Sequence, residues 1–220
     1  MNIILVGAGT QLSYSIDIIE KQGEHNIVGI LDSLKNVGDE YFGFKIIGRQ
    51  EDIVNLHQQY KFDGCVITIG DNWSRKFIYD QIAKLSPILQ WPNIIHPSVI
   101  ISNYVKIGKG IIVMAGVIIN SGSILGDFTN YYTNANVEHD CIIDDFASIS
   151  AGVVMGGKVI IGKYSAISLN ATIFDRIVIG ENSVIGAASL VTKNVPSNVL
   201  FYGNPGKVIK KRIEGEKFLK

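Results

Sequence analysis

This 220-residue sequence has few cysteines, few histidines and no net charge, and each of these features excludes some classes of protein. The two cysteines, Cys65 and Cys141, lie far apart and match no metal-binding spacing, so neither a disulfide framework nor a cysteine metal site is expected. Lysine and arginine together number 20, as do aspartate and glutamate. With a formal net charge of zero, nothing indicates nucleic acid or a membrane surface as a partner.

Long apolar runs are missing as well. No uninterrupted run approaches the ~18 residues of a membrane span, and residues 1–6 lack the basic start and long apolar region of a signal peptide. We therefore expect a cytoplasmic protein. Hydrophobic residues still make up 47% of the sequence, which favours substantial packed cores and leaves apolar surface for an oligomer to cover.

The first 95 residues alternate strand and helix signals, a pattern typical of a parallel α/β sheet. Strand signals cover residues 2–6, 27–31, 44–47 and 64–69, and helical signals cover 12–19, 51–60 and 74–85. Ligands of such sheets bind beyond the carboxyl ends of the strands. Three polar or glycine-rich segments stand at such ends: residues 7–9, Asp32 and residues 70–72. We predict a Rossmann-like, nucleotide-binding domain over residues 1–95.

The glycine turn at residues 7–9 is only the first half of a dinucleotide fingerprint, because Leu12 stands where a third small residue belongs. Asp32 is placed to bond a ribose or a base, although a plain turn and a strand-end cap explain both features equally well. The incomplete fingerprint and the absence of a second α/β half disfavour an NAD-dependent oxidoreductase.

From residue 99 onward the sequence repeats every six residues. All sixteen residues at six-residue steps from position 101 to position 191 are aliphatic, Met or Tyr, and the residue two before each is small or aliphatic. Such hexads predict a parallel β-helix, in which three hexads close one triangular coil and coils stack about 4.8 Å apart. We assign residues 96–195 to this prism and residues 196–220, after Pro196, to a basic tail that binds phosphates or is simply solvated.

His139 is the leading candidate for a catalytic group, as a general base whose tautomer a neighbouring carboxylate fixes. The carboxylate is Asp140 or Glu138, and a surface histidine paired with acidic neighbours is the alternative. Gly157 follows His139 by one coil, so its amide could hold an oxyanion, although a Gly-Gly turn also explains residues 156–157.

Zinc chemistry is disfavoured, because a β-helix zinc enzyme needs three histidine ligands and only His96 and His139 lie in or beside the repeats. No metal is therefore expected. A non-catalytic interaction prism remains an alternative, and it predicts no catalysed reaction.

The order of several segments along nearly the whole chain resembles one enzyme family. The segments are residues 7–9, Asp32, residues 69–72, His96-Pro97, residues 133–144 and residues 202–205. They are similar to the sugar O-/N-acetyltransferases related to sialic acid O-acetyltransferase and to the UDP-4-amino-sugar acetyltransferase of bacterial glycan pathways. The resemblance implies a left-handed parallel β-helix, acetyl-CoA as co-substrate and a homotrimer with active sites between subunits.

The resemblance also implies residue roles. The expected catalytic residues are His139 as base, Asp140 or Glu138 beside it, and Gly157 as oxyanion amide. Acetyl-CoA is expected at Ser148 and at the backbone amides of Leu169 and Ala187. The nucleotide sugar is expected at Gly9, Thr10, Gln11, Asp32, Ser33, Gly70 and Asn72.

Three positions depart from the family pattern. Thr10-Gln11-Leu12 replaces a Gly-His-Gly sequence, Tyr132 replaces an asparagine, and Ser148 replaces a histidine that contacts acetyl-CoA in some members. None of these changes removes the base. We therefore expect an active N-acetyltransferase that acts on a UDP- or dTDP-linked 4-amino-4,6-dideoxy sugar, with O-acetylation of sialic acid or a related sugar as the alternative.

Overall fold

The computed structural model describes residues 1–218, and its amino-terminal part is a five-stranded sheet flanked by three helices. The elements are β1 (Asn2–Val6), α1 (Gln11–Gln22), β2 (Asn26–Leu31), β3 (Glu40–Tyr41), β4 (Phe44–Gly48), α2 (Ile53–Tyr60), β5 (Gly64–Ile67) and α3 (Asn72–Leu85), with a 3-10 turn at Gln50–Asp52. The strand order is β3-β4-β2-β1-β5, and only the β3–β4 pair is antiparallel.

The apolar pattern of β1 explains why helices cover both faces of this sheet. Ile3 and Leu5 pack with α1 residues such as Leu12, whereas Ile4 packs on the opposite face with α3 residues such as Ile82. All these side chains are buried. Successive strand residues point to opposite faces, so a strand that is apolar throughout must be covered twice.

The remainder is a triangular prism of two-residue strands. They are β6 (Ile94–Ile95), β7 (Ile100–Ile101), β8 (Lys106–Ile107), β9 (Ile112–Val113), β10 (Ile118–Ile119), β11 (Ile124–Leu125), β12 (Asn130–Tyr131), β13 (Asn136–Val137), β14 (Ile142–Ile143), β15 (Ser148–Ile149), β16 (Val154–Met155), β17 (Ile160–Ile161), β18 (Ala166–Ile167), β19 (Thr172–Ile173), β20 (Val178–Ile179), β21 (Val184–Ile185) and β22 (Leu190–Val191). They form three parallel sheets with one coil between paired strands, as in the pairing of Ile119 with Val137. The predicted fold class, an α/β domain followed by a parallel β-helix, is confirmed.

We name the three sheets of the prism by their strands. The first face holds β7, β10, β13, β16, β19 and β22; the second holds β8, β11, β14, β17 and β20; the third holds β6, β9, β12, β15, β18 and β21. The second residue of each strand from β9 onward points into the prism and is buried, which explains the six-residue period of the sequence.

The corners between these faces have different surroundings. The histidine corner joins the first and second faces and includes residues 138–141 and 156–159. The aromatic corner joins the second and third faces and includes residues 126–129, 144–147 and 162–165. The pocket corner joins the third and first faces and includes residues 132–135, 150–153 and 168–171.

The amino-terminal domain covers the aromatic corner. Phe128, Phe146 and Tyr164 follow one another at one-coil steps and stack, with centroids 5.2 and 5.8 Å apart. Trp73 of α3 continues the stack on Tyr164 at 4.1 Å, and Tyr79 packs against Phe128 at 4.4 Å. Aromatic pairs of this kind add stability beyond their buried area, so α3 is held firmly against the prism.

The region after Pro196 forms a hairpin of β23 (Val199–Gly203) and β24 (Gly206–Lys211), and β23 extends the third face by pairing with β21. Lys207, Lys210 and Lys211 lie exposed on β24. Within residues 1–218, no helix is long and apolar enough to cross a membrane.

Candidate active site

His139 lies on the histidine corner, two residues after the inward-pointing Val137. Its Nδ1 is 2.9 Å from Oδ2 of Asp140, and about half of each side chain is exposed. Asp140 has a left-handed backbone, φ 58°, a conformation that short polar residues tolerate. Within residues 1–218, Asp140 makes this contact with the imidazole and Glu138 makes none, which favours Asp140 over Glu138 as the neighbouring carboxylate.

This pairing favours one tautomer of the ring. If Nδ1 donates its proton to Asp140, the neutral imidazole keeps its lone pair on Nε2, the atom that would act as a base. An exposed pair of this type contributes only about 0–1 kcal/mol to stability. The His139–Asp140 pair therefore matters more for orientation than for folding.

Gly157 lies one coil from His139, directly against its ring. A Cβ placed on Gly157 would lie 2.5 Å from Nε2 and 2.7 Å from Cε1 of His139. Only glycine permits this close approach, so the lack of a side chain at Gly157 leaves room for the imidazole of His139.

The amide of Gly157, however, donates to Oδ1 of Asp175 at 2.6 Å. It is therefore not free to hold an oxyanion in this structure, which corrects the role predicted for it. This hydrogen bond follows from the coil repeat, because an Asp side chain can accept from the backbone amide that lies one coil earlier in the chain. Asp145 accepts in the same way from the amide of Asp127, at 3.0 Å. Asp175 is a site neighbour that the sequence reasoning missed.

An open cleft of roughly 180 Å³ surrounds this group, lined by His139, Gly157, Lys158, Asp175 and Arg176. The lining of this cleft thus includes two basic residues, Lys158 and Arg176. Within residues 1–218, no group of three or more His, Cys, Asp or Glu side chains could hold a metal ion.

A larger pocket of roughly 370 Å³ lies between the amino-terminal domain and the pocket corner. It is lined by Thr10, Gln11, Tyr14, Gly70, Met114, Tyr132, Thr133, Ser150, Ala151, Leu169 and Phe218. Three residues predicted for the nucleotide sugar, Thr10, Gln11 and Gly70, thereby meet Leu169, which was predicted for acetyl-CoA.

The aromatic walls of this pocket were missed in the sequence. Tyr132 was noted only as a departure from the family, yet its hydroxyl donates to Oε1 of Gln11 at 3.4 Å. Burial raises the pKa of Tyr132, so it stays a neutral hydroxyl. Tyr14 lies on α1, and an aromatic residue within an amphipathic helix does not by itself indicate a ligand site.

Three further predicted substrate residues lie at the carboxyl edge of the sheet, outside this pocket lining. Asp32 accepts from the amides of Ala8 at 2.7 Å and Leu34 at 2.8 Å, and thus ties the glycine turn to the loop after β2. Gly9 and Ser33 are exposed beside it. Asp32 has a structural role here whether or not it also meets a ligand.

Leu169 and Ala187, predicted to offer amides to acetyl-CoA, lie one coil apart on the pocket corner, and both are exposed. Within residues 1–218, neither amide donates a hydrogen bond, whereas the amides of Asn170 and Ala188 are occupied by carbonyls. Their geometry suits the predicted role.

Ser148 and Asn72 require correction, because both are fully buried and hydrogen-bonded to each other in the contact between α3 and the prism. Ser148 Oγ donates to Oδ1 of Asn72 at 2.5 Å, and Asn72 Nδ2 donates to the carbonyl oxygens of Tyr164 and Ser165. The reason is the docking of α3 onto the third face, which covers the outward side of β15.

Arg75 is at the centre of this buried contact and was missed. Its guanidinium donates to the carbonyl oxygens of Phe128 at 2.8 Å, Gly70 at 3.0 Å and Phe146 at 3.1 Å. Burial lowers its pKa to about 10, against the opposing effects of Tyr132 and Asp71. Arg75 therefore stays charged at neutral pH and links the loop beside the pocket to two coils of the prism.

The imidazole and the large pocket occupy different corners of one chain. His139 lies on the histidine corner and the pocket lies on the pocket corner, with the whole first face between them. Within one chain, the candidate base and the large pocket are therefore separate.

Comparisons with known proteins bear on this architecture. Residues 2–82 match the model of the PglD N-terminal domain. PerB from Caulobacter crescentus, solved with CoA and GDP-perosamine, superposes with a TM-score of 0.89 at 27% identity, over 96% of this chain and 98% of that one. The acetyltransferase domain of PglB from Neisseria gonorrhoeae, solved with acetyl coenzyme A, gives 0.84 at 27% identity, over 94% and 98%.

WeeI from Acinetobacter baumannii shares the fold, with a TM-score of 0.72 at 18% identity over 95% of this chain and 100% of that one. Together the comparisons confirm the predicted resemblance to sugar acetyltransferases of the hexapeptide-repeat superfamily. They also confirm, as a class, the predicted CoA-dependent sugar acetyltransferase.

Proposed function

We propose that this protein transfers the acetyl group of acetyl-CoA to the amine of a nucleotide-linked amino sugar in bacterial glycan biosynthesis. The observation that carries the proposal is the His139–Asp140 pair, whose geometry leaves Nε2 open to a surface cleft. The chain's likeness to PerB, an N-acetyltransferase solved with GDP-perosamine and CoA, supports the substrate class.

In the proposed reaction the amine attacks the thioester carbonyl carbon while Nε2 of His139 accepts the proton that the amine loses. The new C–N bond forms, the C–S bond breaks, and the CoA thiolate leaves as a thiol by taking the proton that Nε2 of His139 had accepted, which restores the neutral imidazole. Asp140 stabilises the imidazolium formed on the way. Holding both substrates together supplies much of the rate enhancement.

A homotrimer is part of the proposal. The histidine corner and the pocket corner flank the first face, so a ring of three prisms with their first faces toward the common axis places the histidine corner of one copy beside the pocket corner of the next. Such head-to-tail contacts close into rings. The exposed Ile100 and Val154 give the first face apolar side chains to bury there.

The sequence reasoning favoured UDP or dTDP as the nucleotide, and the GDP sugar bound by PerB adds a third nucleotide to be tested. A cytoplasmic location, expected from the sequence, accords with the use of acetyl-CoA. A panel of UDP-, dTDP- and GDP-linked amino sugars, with free and CMP-linked sialic acid, therefore tests both the nucleotide and N- against O-acetylation.

His139→Ala is the direct test of the base. We expect unchanged acetyl-CoA binding by calorimetry and a kcat at least about 10²-fold lower, measured as CoA release with product mass, because general-base catalysis contributes roughly 10²–10⁴-fold. A perosamine N-acetyltransferase with one histidine replaced by Asn or Ala still holds CoA and GDP-perosamine, which makes retained binding a fair expectation.

His57→Ala, on α2 away from both corners, is the matched control and should keep the parental kcat. Near-normal turnover by His139→Ala would contradict the assignment of the base. Absence of transfer by the parent protein to every acceptor in the panel would contradict the proposed function itself.

A further inference from the structure

The chain that follows β24 folds back toward the amino-terminal domain. Arg212 is buried, and its Nε donates to the carbonyl oxygen of Asn182 at 3.3 Å. Asn182 returns a hydrogen bond from Nδ2 to the carbonyl oxygen of Ile213 at 3.0 Å. Residues 212–218, which we call the return segment, are thus attached to the aromatic corner at their start.

The far end of the return segment is attached to α3. The amide of Phe218 donates to Oδ2 of Asp71 at 3.2 Å, while Oδ1 of the same carboxylate accepts from the amide of Ser74 at 2.8 Å. Asp71 is the N-cap of α3, buried, and follows Gly70 directly. One carboxylate therefore caps the helix with one oxygen and holds the return segment with the other.

Phe218 then lines the large pocket, in company with Thr10, Gly70 and Leu169. The other bulky residues there are Tyr14, Met114 and Tyr132, so Phe218 completes a mostly apolar wall. A pocket with apolar walls and a few polar groups is the usual form of a site for a small organic ligand.

We infer that Phe218 is a substrate-binding residue, which the return segment and Asp71 hold against the nucleotide sugar. The inference rests on the proposed function, because it assigns the large pocket to the acceptor. It adds a substrate-binding residue from the carboxyl-terminal segment, a region that the sequence predicted only as a tail.

The geometry of Asp71 allows a selective test. Asp71→Asn keeps a carbonyl oxygen for the amide of Ser74 and so keeps the helix cap. Its new NH₂ group can only donate, so it cannot accept from the amide of Phe218. This variant should release the end of the return segment while α3 stays capped.

We expect Phe218→Ala to raise the KM for the nucleotide sugar about tenfold or more, because burying a phenyl ring contributes on that scale. The KM for acetyl-CoA should stay within about twofold. Asp71→Asn should raise the same KM in the same direction, and the double variant should be no worse than Phe218→Ala alone, since both changes remove one contact. Lys217→Ala, exposed in the same segment, is the control and should behave as the parent.

A binding measurement separates this inference from the proposed function. Titration calorimetry with UDP, dTDP and GDP on the parent, Phe218→Ala and Asp71→Asn proteins requires no acetyl transfer. Weaker nucleotide or nucleotide-sugar binding by both variants, at parental melting temperature, supports the inference even if the acceptor is another sugar. Parental KM and parental affinity in both variants would overturn it, whereas a parent that transfers acetyl to no acceptor would overturn only the proposed function.

Discussion

Gly157 shows how one absent methyl group shapes the candidate site. Its Cα lies against the imidazole, and any side chain there would come within 2.5 Å of Nε2 of His139. The imidazole is about half exposed and is free to swing away, so a larger residue at this position would move the ring and leave the coil in place. Glycine is therefore required for the position of the candidate base and not for the fold.

Gly157→Ala should consequently lose activity without losing stability. We expect a kcat about 10²-fold lower, because misplacing a reacting group by about 1 Å costs on that order, with a melting temperature close to the parental value. The double variant His139→Ala/Gly157→Ala should be no slower than His139→Ala. An additive loss in the double variant would show that Gly157 acts by another route.

The two cysteines give a second prediction at this scale. Burial raises the pKa of Cys141 to about 11 and raises that of Cys65 as well. Both residues are fully buried, and the reactive form of a thiol is the thiolate. At pH 8 we expect no reaction with a disulfide reagent in the native protein and two reactive thiols after denaturation. A fast-reacting native thiol would contradict the described burial.

Among the elements, those with a strict period were predictable from the sequence and those fixed by packing were not. The hexads marked the coils because each inward position must be apolar. The two-residue β3 and the hairpin of β23 and β24 have no such pattern, since their pairing depends on neighbours that fold elsewhere. Ser148 was misplaced for the same reason: its position in a hexad gives no sign that α3 covers that side of β15.

Arg75 shows how much an element can depend on one side chain. Arg75 lies on α3 and is the only charged residue within residues 1–218 whose exposure is zero. Its guanidinium donates to carbonyl oxygens on two coils and on the loop at residues 69–70. Its partners are neutral oxygens, so the residue binds the helix to the prism through hydrogen bonds.

Arg75→Met should therefore destabilise the protein by at least about 3 kcal/mol, because each buried acceptor left unsatisfied costs roughly 1–3 kcal/mol. Urea unfolding followed by circular dichroism measures the change. Lys84→Met, an exposed position on the same helix, should shift the free energy of unfolding by less than about 0.5 kcal/mol. A small effect of Arg75→Met would mean that aromatic stacking alone holds α3.

At the scale of the whole molecule, each of the three corners of the prism has a different role. The aromatic corner holds the amino-terminal domain, the pocket corner forms a cavity with it, and the histidine corner carries the candidate base. The six-residue periodicity predicts the coils, but it does not predict which corner the amino-terminal domain covers, because that contact depends on packing between segments far apart in the sequence. The histidine corner and the pocket corner lie at opposite edges of the first face, so the proposed trimer would complete a site between two copies.

Val154→Lys tests this dependence. Val154 points outward on the first face, 47% exposed, and a lysine there would place charges near the proposed threefold axis. Burying unpaired like charges is costly, so we expect monomers in sedimentation velocity and loss of acetyl transfer with the coil fold intact by circular dichroism. Val178→Lys is the matched control, because Val178 occupies the same strand position on the second face and is 38% exposed. This variant should stay trimeric and active. A trimeric, active Val154→Lys protein would place the subunit contact on another face, and a monomeric, active one would show that one chain completes the site alone.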